Sequence, residues 1–301
     1  MSLGRLLQRL WPGKNTPAEL RHFDWKFYVR FYPDLKRNGV DSRKKAELHW
    51  LQTGRAEGRI GGPHDPACRR NFQALTDYLQ TVGRRAAEAR RVLANRTPPL
   101  IHILTRSNQR PRFFQENRAS VAAQTYRSFR QLVSYENPET LRYLQRAGVP
   151  ESDAIHVTRK TTSATHPYNL FVNDLMGRVE DGWILFLDDD DLFTTPEALT
   201  ILASRLVDEN QLVIWKAWFP DKIVPFVNDA KAIQPGGMTS CCFAFHARHK
   251  ADAQWHEHKA GDYRCFDQLR NKLPAVILDD ILTRVNYTDA SAGWGEPRDK
   301  K

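Results

Sequence analysis

The apolar residues of this 301-residue chain change rhythm once. Before about residue 98 they recur at helical spacing; from residue 99 short apolar runs alternate with helical stretches. Near the start, Leu3, Leu6, Leu7 and Leu10 fall on one helical face with Arg5 and Arg9 elsewhere. That pattern suits either a short helix lying on anionic lipid or a frayed terminus. Residues 22–62 form a compact unit. Asp24 is placed to cap a first helix carrying Phe27, Tyr28 and Phe31. Pro33 and Gly39 punctuate, and a second helix carries Ala46, Leu48, His49, Trp50 and Leu51 and stops at Gly54. Residues 63–98 read as a basic helix over roughly 70–94, then a linker broken by Pro98 and Pro99.

Beyond the linker, "LIHIL", "QLVSY", "AIHVT" and "WILFL" read as strands. Between them "RPRFFQENRASVAAQ", "ETLRYLQRAG" and "PYNLFVNDLMGRV" read as helices, the first with Phe113, Phe114, Asn117 and Val121 at helical spacing. Strand–helix alternation at this rhythm predicts an α/β domain, a mostly parallel sheet with helices on both faces, over residues 99–301. Ligands in such sheets bind beyond the carboxyl ends of the strands. "WILFL" runs straight into Asp188, Asp189, Asp190 and Asp191. Thr194 or Thr195, Pro196 and Glu197 then suggest a capped helix start. One or two acids suffice to cap a helix, so four in a row at a ligand edge point to hard cations and a phosphate, Mg2+ or Mn2+ on a diphosphate.

Composition narrows the picture. With 41% hydrophobic residues, 8 Trp, 9 Tyr and 15 Phe, the chain can build a core. No apolar run approaches a membrane span, and the N-terminus does not read as a secretory signal. Cys68, Cys241, Cys242 and Cys265 fit no metal spacing or disulfide framework and read as reduced thiols of a cytoplasmic protein. The net charge of +10 is concentrated early, in "RKK", "CRR" and "GRRAAEARR". It brings no RNA-binding aromatic signature, zinc finger or helix-turn-helix, so no nucleic-acid partner is expected, and the charge reads either as a solvated basic face or as peripheral contact with anionic membrane.

The order of strand, "SVAAQTY", strand, Asn-bearing helix and "FLDDDD" resembles family 2-type glycosyltransferases of GT-A fold. Residues 22–62, with "FD..FY...YPDL...G.......HW...G..EGR", resemble a small helical module found beside bacterial polysaccharide glycosyltransferases. The resemblance implies a nucleotide-sugar donor, a UDP-sugar first, and a glycan or lipid-linked saccharide acceptor, in surface polysaccharide synthesis on the inner face of the membrane. It implies a Mn2+ or Mg2+ cofactor held by Asp188 and Asp190, with His246 as a further ligand. Asp188 and Asp189 form the Asp-x-Asp motif with Asp190. Thr105, Arg106, Glu136, Asn137, Asn169 and Asn173 join Asp188 and Asp189 in donor binding. Glu136 and Asn137 stand in "SYENPET", where the family commonly has the acidic "DDGS" that reads the nucleobase. The segment "WHEHKAGDYRCFDQLRNKL" resembles the family's loop and helix carrying the base of an inverting transfer. Asp262 is the first choice, with Glu257 and Asp267 as alternates. Two rivals stand beside this reading: a haloacid dehalogenase-like phosphatase, disfavoured because three strand–helix units precede the acids, and an inactive scaffold binding glycan or membrane. The domains expected are a basic N-terminus (1–21), the helical module (22–62), a helix and linker (63–98) and the GT-A domain (99–301).

Overall fold

The computed structural model describes residues 18–21, 23–32, 35–36, 38–55, 59–62, 66–158, 166–219 and 222–285. The leucine-bearing segment expected at the N-terminus lies outside them. The chain forms two compact units, residues 1–69 and 70–301.

The first unit is an aromatic cluster on short helices. Asp24 caps α1 (Trp25–Phe31), its carboxylate accepting from the amides of Lys26 and Phe27. α2 (Arg43–His49) runs into a wider turn over Trp50–Gly54. Phe23 stacks on Trp50 at 5.4 Å, and Tyr28 meets Trp50 edge-on at 5.4 Å. Two glycines permit this packing. A Cβ on Gly54 would lie 2.0 Å from the Tyr28 hydroxyl, and one on Gly61 would lie 2.8 Å from the Trp50 ring.

The second unit is a mixed α/β domain. Its strands are β1 (Ile101–Arg106), β2 (Phe129–Tyr135), β3 (Ala154–His156), β4 (Trp183–Phe186), β5 (Asp191–Phe193), β6 (Leu212–Trp218), β7 (Ile223–Val224), β8 (Phe243–His246) and β9 (Ala275–Val285). They form one sheet in the order β3-β2-β1-β4-β8-β6-β9-β5, with β7 on β6. The half β3-β2-β1-β4 is parallel, with Leu104 of β1 opposite Leu132 on one side and Phe186 on the other. β8 then runs antiparallel to both β4 and β6, β9 parallel to β6, and β5 antiparallel to β9. The result is one curled mixed sheet with helices around it, an α/β domain as expected. β4 is buried at every position, as an apolar run without alternation requires when both faces are covered. Beneath the strand ends, Phe186 meets Phe243 at 5.5 Å and Trp255 at 5.2 Å, and Phe243 meets Phe266 at 5.7 Å.

Two sequence expectations are corrected. First, the basic helix α3 (Pro66–Leu93), expected in a helix-and-linker segment ahead of a domain at 99–301, packs into that domain's core. Tyr78, Val82, Ala86 and Ala89 form one stripe of it and belong to the main core of the second unit. Arg85 pairs with buried Asp280 at 3.0 Å, and the Trp218 indole donates to the Asn71 carbonyl at 2.9 Å. Second, Thr194, Thr195 and Glu197 make no capping box. Helix α7 (Ala198–Ala203) begins after Glu197, which makes no side-chain cap. Its amide at Leu199 donates instead to the Gln124 side chain at 2.9 Å, and the Gln124 amide donates back to the Thr195 carbonyl at 2.9 Å. Thr125 and Thr200 share a hydroxyl contact at 2.9 Å, so "SVAAQTY" clasps the turn that follows the acids.

Candidate active site at the strand ends

β1 leads into Ser107, Asn108, Gln109 and Arg110, and Pro111 opens helix α4 (Pro111–Ala122). Gln109 is left-handed, with φ 54°, a conformation that costs a non-glycine residue about 1–2 kcal/mol. It turns the chain so that Arg110, the last residue before the helix, comes back toward the acid run. From α4, buried Asn117 holds that run by its backbone. Its amide donates to the Asp188 carbonyl at 3.0 Å and to the Asp191 carbonyl at 2.8 Å, while its oxygen accepts from Gln131 at 2.8 Å. Gln131 also donates to the Thr105 hydroxyl at 3.0 Å. Thr105, expected to bind donor, is thus a fully buried member of this amide network.

Two guanidinium groups face the aspartates. Arg106 grips Asp188 in a fork, Nε to Oδ1 at 2.8 Å and Nη2 to Oδ2 at 2.5 Å. Arg110 bridges the next two, donating Nη1 to Asp190 Oδ2 at 2.9 Å and Nη2 to Asp189 Oδ1. Asp189 also accepts from the Ser107 hydroxyl at 2.8 Å, and Ser107 contacts the Tyr143 hydroxyl at 2.6 Å. Ser240 reaches Asp188 at 3.5 Å.

Two arginines face four acids, and the shifts of the carboxyl groups follow from burial set against that counter-charge. Burial alone would raise the Asp188 carboxyl, but Arg106 outweighs it and holds the group below its ordinary value. Burial pushes Asp189 up to about 7 against the pull of Arg110. Asp190 is raised for the same reason, with Arg110 opposing. Asp191 is raised well above its ordinary value by burial and then by Asp190 and Asp188.

The facing wall comes from helix α6 (Leu170–Gly177), the turn before it, and the segment leading to helix α8 (Gly261–Arg270). Asn169 accepts from Arg106 Nη1 at 3.0 Å and donates to the carbonyls of His258 at 2.9 Å and His256 at 3.2 Å. Asn173 both donates to and accepts from the Trp255 backbone, at 2.8 and 2.9 Å. Asn173 is therefore a clamp on the loop, with both ends of its amide engaged, and not an open donor-binding group. The Arg106 guanidinium lies over the rings of Trp255 at 4.9 Å and Tyr168 at 5.7 Å. Asp262 is on the first turn of α8, one residue inside the expected capping position, since Ala260 precedes the helix in a left-handed conformation. Its carboxylate accepts from the Tyr263 amide at 2.8 Å. Burial raises it, Arg106 opposes and Asp188 adds to the rise, so Asp262 shares its field with the acid–arginine cluster.

Glu136 and Asn137 stand at the end of β2. Asn108 donates to Glu136 at 3.1 Å, and Asn137 donates to Asn108 at 3.0 Å while capping helix α5 (Pro138–Arg146) through the Thr140 amide at 2.9 Å. Asp267 lies farther along α8 and is paired with Arg270 at 2.5 Å. Glu257 belongs to the loop clamped by Asn169, its carbonyl accepting from the His166 amide at 3.1 Å. His246 is elsewhere. Antiparallel pairing sets it opposite Trp183, the first residue of β4, so it is at the far end of the strand from the acids and faces Asp181 at 3.4 Å and Glu209 at 3.7 Å. It does not join Asp188 and Asp190.

Nor do Asp188 and Asp190 fit a divalent cation as they stand. Among the described residues, no three Asp, Glu, His or Cys side chains converge on a point where a metal ion could be held. Both oxygens of Asp188 are taken by Arg106, and one oxygen of Asp190 by Arg110. Cys241, Cys242 and Cys265 are free and buried. Sequence reasoning gave no site role to Arg110, Ser107, Asn117, Gln124 or Gly261. Arg110 was within reach: four buried acids need counter-charge, and "RSNQR" ends the strand beside theirs.

No known protein-family signature matches the chain, and no curated protein matches it. Among solved structures it is similar to S. aureus TarS 1–349, at 16% identity and TM-score 0.47 over 62% of this chain and 60% of that one. It is similar to the same TarS segment in complex with UDP-GlcNAc, at 14% identity and TM-score 0.46 over 62% and 58%. It is also similar to glucosyl-3-phosphoglycerate synthase from Mycobacterium tuberculosis in complex with Mn2+, UDP and glucosyl-3-phosphoglycerate, at 9% identity and TM-score 0.45 over 66% and 75%. The chain spans 60% of the length of the TarS 1–349 chain. The fold assignment rests on the strand order, and no property of those proteins is carried to this one.

Proposed function

We propose that this protein is a glycosyltransferase that moves a sugar from a nucleotide-diphosphate sugar, a UDP-sugar first, to a glycan or lipid-linked saccharide acceptor with inversion. The observation that carries the reading is the convergence of Arg106, Asp188 and Asp262 at the carboxyl ends of β1 and β4, where an α/β sheet presents its ligand site. Each part has a role. Glu136, Asn137 and Asn108 form a polar end-wall at β2 suited to a nucleobase. Arg106 and Arg110 offer guanidinium forks to the diphosphate, whose charge grows as the sugar departs; charge placed there stabilises the transition state selectively. Asp262 takes the proton of the acceptor hydroxyl as the bond to the sugar forms. No step is assigned to Mn2+ or Mg2+, because the oxygens such an ion would use are held by guanidinium; the ion enters this reading only with the arginines displaced.

The resemblance of residues 22–62 to a module beside polysaccharide glycosyltransferases supports a place in surface polysaccharide synthesis, and the basic early residues support a position against the inner face of the membrane. Among the described residues no helix is long and apolar enough to cross a membrane. The test is release of nucleoside diphosphate from a panel of UDP- and GDP-sugars, with and without added saccharide acceptors. Release that depends on Asp262 supports the reading. Phosphate release from a generic phosphoester, with no nucleotide released from any sugar donor, would overturn it.

A further inference from the structure

The basic helix that joins the core of the second unit also turns a side to solvent. We infer that this outer side of α3 docks on an anionic bilayer, with Phe72 and Leu79 entering the headgroup layer and Arg84, Arg90 and Arg91 holding its phosphates. The inference deepens the membrane position proposed above and rests on it; it adds the surface and the lipid chemistry.

Three observations carry it. The first is that α3 is fixed by its other side. Tyr78, Val82, Ala86 and Ala89 are buried in the core, Arg85 holds Asp280 at 3.0 Å, and the Asn71 carbonyl accepts from the Trp218 indole at 2.9 Å. The helix therefore cannot turn its remaining apolar residues inward. Phe72 stays 50% exposed, although its ring meets Trp218 edge-on at 4.9 Å, and Leu79 stays 44% exposed. Either alone would need no explanation. Together they fall on one line of the helix with Arg90, along a border of the buried stripe.

The second is the charge beside that line. Arg84 and Arg91 are exposed on the outward side. Among the described residues no carboxylate lies within ion-pair distance of either, and Arg90 reaches Glu197 only at 3.9 Å. The acids of the helix, Asp77 and Glu88, stand toward the opposite border. A helix side with Phe and Leu among arginines has the pattern of an interfacial helix, whose apolar residues enter the headgroup layer while its cations meet lipid phosphate. Guanidinium takes phosphate in a fork of parallel N–H···O bonds. A second copy of the chain would bring the same cationic side and no line of acids to receive it, so a bilayer is the better match.

The third is position. β8 runs antiparallel to both β4 and β6, so β6 ends at the same edge of the sheet as the acid run. Trp218 closes β6, and Phe72 lies against it. The apolar end of the docking surface is thus at the ligand edge, where a lipid-linked acceptor would pass from the bilayer to the site.

The experiment is cosedimentation of the full chain with vesicles of phosphatidylethanolamine and phosphatidylglycerol, set against vesicles of phosphatidylcholine alone. We expect binding to the anionic vesicles, weakened about tenfold or more when salt is raised from about 0.05 M to about 0.5 M, and little binding to phosphatidylcholine. Leu79→Ser and Phe72→Ser should each weaken it about tenfold, and Arg84→Gln, Arg90→Gln and Arg91→Gln combined should weaken it further. If Phe72→Ser does not fold, Leu79→Ser and the arginine variant decide the matter. Binding of these variants equal to that of the parent chain would overturn the role of α3 and leave the membrane position to another segment. Equal binding of the parent chain to both kinds of vesicle would overturn it too, since the arginines would then hold no anionic lipid. A parent dimer that Leu79→Ser dissociates in sedimentation velocity would mean that a second copy covers this side, and would overturn the docking. No binding to any vesicle would overturn both the inference and the membrane position, while release of nucleoside diphosphate tests the transfer reading separately.

Discussion

Gly261→Ala is the smallest change that should disturb this site, and its cost can be worked from the structure. Gly261 opens α8 one residue before Asp262. A Cβ built there lies 2.6 Å from the Asn169 amide nitrogen, 3.0 Å from Trp255 Cε3 and 3.1 Å from Asn169 Cγ. Ordinary van der Waals contact begins near 3.4 Å, so the amide or the helix must retreat by the better part of an ångström. Asn169 has little freedom to do so, being bonded to Arg106 and to two carbonyls of the loop. Overpacking of this kind costs about 1–3 kcal/mol, and each hydrogen bond lost adds about 1 kcal/mol. Alanine returns at most about 1 kcal/mol through its higher helix propensity. The net expectation is a loss of about 1–3 kcal/mol in equilibrium urea unfolding, with no change in slope. Turnover should fall further than stability implies, because the shift moves Asp262 and Arg106 together. A Gly261→Ala chain as stable and as active as the parent would refute the close packing on which the geometry of this wall depends.

Four further expectations follow from the same structure. Asp262→Asn should lower turnover by roughly a hundredfold or more with donor affinity nearly unchanged, as removal of a general base does. In the parent chain turnover should climb with pH through the raised Asp262 value and level off above it, because a base works only when deprotonated; a flat profile would refute the role of Asp262 as that base. Gln124→Ala should cost about 1 kcal/mol by uncapping α7, measurable as a lower Tm; an unchanged Tm would mean that the turn satisfies itself. A chain beginning at residue 98 should be insoluble or strongly destabilised, since it lacks the Tyr78–Ala89 stripe of the core, whereas one beginning at residue 66 should keep the cooperative unfolding of the second unit. Equal stability of the two would restore the linker reading of residues 63–98.

The fold was legible because its signals are local. Apolar runs such as "WILFL" and helix-spaced faces such as Phe113, Phe114 and Val121 each declare themselves within a dozen residues. The place of α3 was not legible. Its arginines mark a solvated face, but nothing in the sequence says whether Tyr78 and Val82 meet another helix or the sheet. At the site, the acid run was evident and its counter-charge was not, because Arg106 and Asp188 are 82 residues apart in the chain. His246 was misplaced for a related reason. A strand-end histidine sits at the ligand edge only if its strand runs parallel to the others, and β8 runs the other way. Asn173 shows the same limit in small: an Asn facing a loop reads alike whether it binds a ligand or, as here, the Trp255 backbone.

The grip of Arg106 on Asp188 also bears on how the sheet finds its alignment. β4 is apolar and buried on both faces, and β1 faces it with Ile101, Ile103 and Leu104, so alternation of apolar and polar positions along β4 does not fix the register. In the native pairing Leu104 lies opposite Phe186, which brings Arg106 level with Asp188 two residues on. Sliding β4 by one residue would still bury hydrophobic side chains against hydrophobic side chains. It would also separate the arginine from its carboxylate and leave a buried charge without a partner, at a cost of about 3–5 kcal/mol. The pair thus marks the native register of the two strands at the end where the site is built.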